Sequence, residues 1–327
     1  MSPETARRAV VLFLPRMTRT FHVCFYGGEP LLNFDLIRET VPFIRSLSRA
    51  AGRRPRFSLT TNGSLCTEEI LGFLEKHRFS VVLSYDGHAQ DVQRMPGSSG
   101  ALRRLIARFV ESGRVRLEVN SVFTPETVTG LFGSLRELVD RGVPSVRYSL
   151  SIIKPWREAD LRKLSRELRQ LRKFTAAAYG KTGTIPIQNF HEDIPCRVRY
   201  CPAGKDRMAV DPDGRIWGCA LFADWARDHG GAGAFRRFGF GTMGRFAKSA
   251  DSVYAGVLPN YGRFSVDQYR TPSGPCFLCP RLKSCWVCPV NAGLAGGKLD
   301  EIPPYVCAIQ KIKAGETDQL VHDLKLA

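Results

Sequence analysis

Eight of the ten cysteines in this 327-residue chain lie after residue 195. They stand as Cys196-x4-Cys201-x17-Cys219, then Cys276-x2-Cys279-x5-Cys285-x2-Cys288, then Cys307. The surrounding sequence is rich in Gly and Pro, and such a segment needs a staple to hold a fold. Disulfides would serve in a secreted chain. Here Glu4 and interleaved arginines break the apolar character of MSPETARRAVVLFLPRM, so it does not read as a signal peptide. The expected location is the cytoplasm, where clustered thiols point to metal. Eight thiolates make two sets of four, and four soft ligands suit either tetrahedral zinc or an iron–sulfur cluster. Two CxxC pairs favour structural zinc, while the x5 gap and the distant Cys307 favour interleaved sets. Spacing alone leaves both metals open. Cys24 and Cys66 stand outside the pattern, and Cys24, inside an apolar run, is expected to be a small buried residue.

The N-terminal part has a different grammar. Phe21–Tyr26, Arg56–Thr61, Ser80–Tyr85, Arg116–Phe123 and Ser145–Ser151 are near-continuous runs of the kind expected of parallel strands covered on both faces. Helical stretches separate them, with Ser2-Pro3 and Thr67-Glu68-Glu69 as start signals and Gly113 and Gly142 as stops. The longest helix is expected from Glu158 to Tyr179, with Leu161, Leu164, Leu168 and Leu171 on one stripe. One helix followed by five strand–helix units implies an α/β fold, a doubly wound sheet or a partial barrel. Ligands of such folds sit at the carboxyl ends of the strands. Gly27-Gly28-Glu29-Pro30, Thr60-Thr61-Asn62-Gly63, Ser84-Tyr85-Asp86-Gly87 and Asn120 all fall there. Further on, Met208–Val210 and Arg215–Trp217 about an Asp213-Gly214 turn predict a β-hairpin. Gly230–Gly241 is expected to be a surface loop, in a region short of long helices.

A formal net charge of +17 raises the question of nucleic acid. Its basic residues are spread over most helices, and no aromatic-interleaved basic run or nucleic-acid motif occurs. The charge is read as a solvated surface with attraction for acidic peptides. No apolar run reaches the roughly 18 residues needed to cross a bilayer, so neither nucleic acid nor membrane is expected as a partner.

Taken in order, GGEPLL, TTNG, LSYDG, CPAGKDRMAVDPDGRIWGC, CFLCPRLKSCWVC and the last Cys307 resemble the radical S-adenosylmethionine (SAM) enzymes that carry a C-terminal SPASM domain. That group includes anaerobic sulfatase-maturating enzymes and peptide maturases. The resemblance implies a partial (β/α)6 TIM-like barrel over residues 1–185, missing its first strand. A small Cys-rich SPASM domain with a β-hairpin would follow over 186–327. It implies that Gly27, Gly28, Glu29 and Pro30 receive the amino group of SAM, where an acid and exposed carbonyls suit a cation and glycine permits close approach. Ser84 and Asp86 would contact its ribose or methionine part, with Asn62 and Asn120 as weaker candidates beside a plain turn role. One auxiliary [4Fe–4S] cluster would take Cys196, Cys201, Cys219 and Cys288, and a second Cys276, Cys279, Cys285 and Cys307. The gap before Cys288 is one residue shorter than the family's. Ala220 stands where sulfatase maturases carry an aspartate base, with Asp224 four residues on, so another peptide or protein substrate is expected. A flavodoxin or ferredoxin would donate electrons.

The resemblance breaks at its start, because no CxxxCxxC occurs in the chain. In the family those thiolates hold the catalytic [4Fe–4S] cluster that cleaves SAM to the 5′-deoxyadenosyl radical. Five strands behind a lone helix, with no device to blunt the resulting sheet edge, lead to the expectation that a first strand and its cluster loop belong upstream of Met1. The chain alone would then be inactive. The alternative is a non-catalytic peptide-binding or electron-transfer module with two auxiliary clusters or structural zinc.

Overall fold

The computed structural model describes residues 1–192, 199–296 and 298–325. In chain order its first elements are α1 (Pro3–Phe13), β1 (Thr20–Phe25), α2 (Phe34–Ala50), β2 (Arg54–Thr61), α3 (Glu68–Lys76), β3 (Ser80–Ser84), α4 (Gln90–Gln93) and α5 (Ser99–Ser112). Then come β4 (Arg116–Phe123), α6 (Leu131–Asp140), β5 (Val146–Leu150), α7 (Glu158–Thr182), α8 (Gln188–Glu192), β6 (Ala209–Val210) and β7 (Arg215–Trp217). The last are α9 (Ala220–Trp225), α10 (Gly231–Phe238), β8 (Gly239–Thr242), α11 (Met243–Gly262), β9 (Arg270–Thr271), β10 (Gly274–Pro275), α12 (Pro289–Gly296) and α13 (Pro304–Leu324). The five predicted strands form a parallel sheet in the order β1-β2-β3-β4-β5. The α/β class and the five strand–helix repeats agree with the sequence reading.

Two compact units are distinguishable. The first comprises Met1–Leu59, Thr67–Phe79 and Tyr200–Phe264, the second Thr60–Cys66, Ser80–Arg199 and Ser265–Ala327.

In the first unit, the Ser2 hydroxyl accepts from Thr5 N at 3.1 Å and caps α1, and Thr67 caps α3 from Ile70 N at 3.3 Å. Helix α2 buries Ile37, Val41 and Ile44, one turn apart. Phe57, Phe73 and Phe79 stack together below β2, with the Phe57 and Phe79 centroids 5.5 Å apart. The hairpin appears as expected, Ala209 opposite Trp217 and Val210 opposite Ile216, with Gly214 at φ 77° in its turn. Two expectations fail here. Gly230–Gly241 is helix α10 and strand β8, which pairs antiparallel with β7. Glycine composition suggested a loop, but Phe238 and Phe240 bury their rings against Tyr261, and that packing outweighs propensity. The region also holds more helix than expected: Met243–Gly262 is two helical segments meeting at Ser249, whose backbone is not helical, the second of them carrying Pro259.

In the second unit, β3, β4 and β5 alternate buried residues such as Leu117, Val119 and Phe123 with half-buried ones. Leu164, Leu168 and Leu171 of α7 are buried, Leu161 half-buried, and Gly183 at φ 67° ends the helix. Against α7 lies an unforeseen long helix, α13, where Arg172 bonds both Glu316, at 3.0 Å, and Asp323. Helix α13 buries Val306, Ile309, Ala314 and Leu320.

Candidate functional site

Strand β1 feeds the GGEP turn in the first unit. It is an edge strand, and His22, Cys24 and Tyr26 point to its exposed side while Phe21 is buried. Cys24 is therefore exposed rather than a core residue. The reason is strand alternation, which puts Cys24 on the exposed face of β1 with His22 and Tyr26, opposite Phe21. After Tyr26 the chain turns through Gly27 and Gly28 into a short 3-10 helix, Pro30–Asn33, whose start is capped by Glu29 Oε1 accepting from Leu31 N at 3.1 Å. A Cβ placed on Gly27 or Gly28 would meet nothing within 4 Å. Neighbouring side chains do not require these glycines, and the backbone there is open to a ligand.

The contrast with two other turns is sharp. Gly63 of TTNG, at φ 79°, would drive a Cβ to within 2.7 Å of Leu102 and 2.8 Å of Leu83. Gly87, at φ 61°, would drive one to 2.3 Å from Ser134. Those glycines are demanded by packing and by the left-handed backbone.

The strand ends of the second unit carry the remaining SAM candidates. Asp86 is completely buried, and its carboxylate accepts from Arg94 Nε (2.7 Å), Arg94 Nη2 (3.1 Å), Gln93 Nε2 (2.8 Å) and Val122 N (2.8 Å). Four protein donors fill its lone pairs, so Asp86 organises the loop after β3. Asn62 Oδ1 accepts from Ser64 N at 2.8 Å, which is the turn role anticipated for an Asn-Gly pair. Ser84 is half-buried and its hydroxyl takes no bond from the described residues. Asn120 lies beside it on the same face, its Oδ1 accepting from Ser149 Oγ at 3.1 Å.

Four further residues on this face, Glu118, Ser145, Arg147 and Ser149, were not expected from the sequence. Arg147 stands opposite Asn120, and its Nε donates to Glu118 Oε1 at 2.9 Å, with Ser145 Oγ on Oε2 at 3.2 Å. Together with Ser149 they make one side of β4 and β5 polar and half-buried. Alternation in RLEVN and VRYSL carries that signal, whereas a continuous apolar run does not.

The thiols fall into two settings. Cys201 and Cys219, in the first unit, both stand close enough to the buried phenol of Tyr261 to raise its pKa further, burial being the main cause. The Tyr261 hydroxyl donates to Phe238 O at 2.7 Å and accepts from Gly218 N at 3.0 Å, fixing the backbone just before Cys219. Tyr26 is raised chiefly by burial, then by Asp224, Cys24 and Cys219, which places the end of β1 beside the start of α9. Cys288 belongs to the second unit, and Cys196 lies outside the described residues.

Cys276, Cys279, Cys285 and Cys307 all lie in the second unit and line one cavity of about 290 Å³. The CFLC turn supplies the first pair, a 3-10 turn at Leu282–Ser284 presents Cys285, and α13 presents Cys307. Burial and the neighbouring thiolates push Cys285 up to about 12 and Cys276 up to about 11, and burial raises Cys307. Mutual repulsion of that kind is relieved when a cationic centre takes the thiolates, so an all-sulfur set in a shared cavity fits a thiophilic metal group. Among the described residues no His, Cys, Asp or Glu side chains are gathered tightly enough to hold a single metal ion.

No family model matches the chain. Its structure superposes on anSMEcpe, an anaerobic sulfatase-maturating enzyme with AdoMet bound, at TM-score 0.76, covering all of this chain and 87% of that one at 15% identity. The chain has a radical SAM fold. A second radical SAM structure, Streptococcus suis SuiB with S-adenosylmethionine bound, matches at TM-score 0.57 and 17% identity over 94% of this chain and 70% of SuiB. Among curated sequences, an uncharacterized protein of Methanocaldococcus jannaschii is 25% identical over 224 residues, 67% of this chain and 75% of that protein. The radical SAM cyclopropyl synthase TigE of Paramaledivibacter caminithermalis is 23% identical over 133 residues, 39% of this chain and 28% of TigE. Among the described residues no helix is long and apolar enough to cross a membrane.

Proposed function

We propose that this chain works in the cytoplasm and binds SAM, a peptide or protein substrate and two auxiliary [4Fe–4S] clusters, as a radical SAM/SPASM-type peptide-modifying protein. The observation that carries the reading is the convergence of Cys276, Cys279, Cys285 and Cys307 on one cavity in a chain with a radical SAM fold. Peptide-bound structures of anSMEcpe and of SuiB with its precursor SuiA support a peptide as substrate. Cys196, Cys201, Cys219 and Cys288 are the proposed ligands of the other cluster.

For SAM, Gly27 and Gly28 leave the backbone open, and Glu29 and Pro30 set the turn that follows. Ser84 and Asn120 offer polar groups from β3 and β4, and Asn62 an exposed amide, while Asp86 acts through the loop it holds. The auxiliary clusters, when bound, supply one-electron transfer, with a flavodoxin or ferredoxin as donor. Ala220 in place of the maturase aspartate argues against a sulfatase as substrate. No CxxxCxxC occurs in these residues, so the radical-generating cluster is assigned to none of them. The second reading is a non-catalytic binding or electron-transfer module that holds the same two clusters.

Anaerobically prepared protein tests both. Iron and sulfide bound at the eight cysteines, with SAM binding by calorimetry, is the expected result. Zinc in their place would support a stapled binding protein instead. Whether SAM is cleaved under reduction separates the enzyme from the module.

A further inference from the structure

One face of α13 meets the cysteine cavity. Cys307, Gln310, Lys311 and Ala314 all line it, at the i, i+3, i+4 and i+7 spacing that puts them on one stripe. Arg281 also lines the cavity, but its guanidinium is bound to Asp318 at 2.7 Å, which neutralises it. Lys311 has no such partner: no carboxylate among the described residues pairs with it. Its ammonium therefore remains a net positive charge one helical turn from Cys307. The direction of its effect on that thiol agrees, lowering a pKa that burial raises.

We infer that Lys311 sets the redox balance of the metal group held by Cys276, Cys279, Cys285 and Cys307. The inference rests on the proposed cluster at those four thiols. A cluster with four thiolates carries one more negative charge when reduced than when oxidised. A cation beside it stabilises the reduced form more, and so raises the reduction potential. Lys311 is exposed, so salt screens the effect, and the shift is larger at low ionic strength. Lys311 is a positioning charge in this role and ligates nothing.

The test uses the full chain reconstituted with iron and sulfide anaerobically. A redox titration followed by electron paramagnetic resonance then gives the midpoint of the cluster at these four cysteines. Cys219→Ala in the background removes the signal of the other set. Lys311→Gln is expected to lower the midpoint, by up to about 59 mV for a tenfold change in the one-electron equilibrium. Lys311→Glu should lower it further, Lys311→Arg should retain it, and added salt should shrink the differences. Unchanged midpoints in Lys311→Gln and Lys311→Glu at full iron content would overturn the inference. Should Lys311→Gln take up less iron, recovery of iron by Lys311→Arg supports a charge role, and failure to recover refutes it. A wild-type protein that binds zinc or no iron at these thiols overturns the cluster reading itself, and the inference with it.

Discussion

Arg94 closes on both oxygens of the buried Asp86 carboxylate, with Nε at 2.7 Å and Nη2 at 3.1 Å, while Gln93 and Val122 N take the remaining lone pairs. A glycine follows at once, its left-handed backbone pressed against Ser134. The loop after β3 is thus held by charge on one side and by sterics on the other, and Ser84 is presented at a fixed strand end. Removing one partner of a buried, hydrogen-bonded pair strands the other. Asp86→Ala is expected to cost about 3–5 kcal/mol. Arg94→Ala should destabilise as well, by less than additively with Asp86→Ala. Urea unfolding of the two single variants and the double variant measures the coupling.

Three glycines at the strand ends, Gly28, Gly63 and Gly87, are expected to separate into two classes. Gly28→Ala has open space and should unfold at the same urea concentration as wild type, while losing SAM affinity by about tenfold or more if the ligand backbone contact is made there. Gly63→Ala and Gly87→Ala force a side chain into Leu83 and Leu102 or into Ser134, and each should cost about 1–3 kcal/mol. Calorimetric SAM titration beside urea unfolding checks the division. A Gly28→Ala protein that binds SAM as wild type does would remove the turn from the SAM site.

The iron content should fall in halves. Cys276→Ala, Cys285→Ala or Cys307→Ala is expected to lose half the iron and keep the rest, and Cys201→Ala or Cys219→Ala to lose the other half. Combining one substitution from each set should leave the protein without iron. Iron analysis with visible absorbance reads this directly. Complete loss from any one substitution would mean that the eight thiols do not work as two sets.

The sequence showed the strands clearly because each is a β-rich run bounded by turn residues, and the caps are local too: the hydroxyls of Ser2 and Thr67 and the left-handed backbone of Gly113. The Asp213-Gly214 turn gave the hairpin for the same local reason. What was hidden depends on distant partners. Helix α10 and strand β8 are written in a glycine-rich stretch and exist because Phe238 and Phe240 have Tyr261 to pack on. The span of α11 is two helical segments that meet at the non-helical Ser249, and that break with Pro259 hides both from a periodicity search. The polar face of β4 and β5 was legible in the alternation of Glu118 with Asn120 and Arg147 with Ser149, and averaging over each run concealed it. Cys24 was misjudged because an apolar run does not reveal which face of its strand is covered.

The thiols around the second-unit cavity carry a pH signature of their own. Burial and neighbouring thiolates raise Cys276 to about 11 and Cys285 to about 12, above the ordinary value of 9.0. In the metal-free protein the folded state therefore holds these protons more tightly than the unfolded chain does. The resulting stability is fully present below pH 9 and is lost as pH rises through the folded values toward 11 to 12. Urea midpoints of metal-free protein should fall over that window, and the Cys276→Ala/Cys285→Ala variant should fall less steeply. Metal uptake has the opposite proton balance, since ligation requires thiolates, and should release close to one proton per cysteine bound near neutral pH. Weakly buffered titration with cadmium, followed by a pH indicator, counts them. Metal uptake without proton release would mean that these cysteines are already ionised and that the cavity does not repel charge.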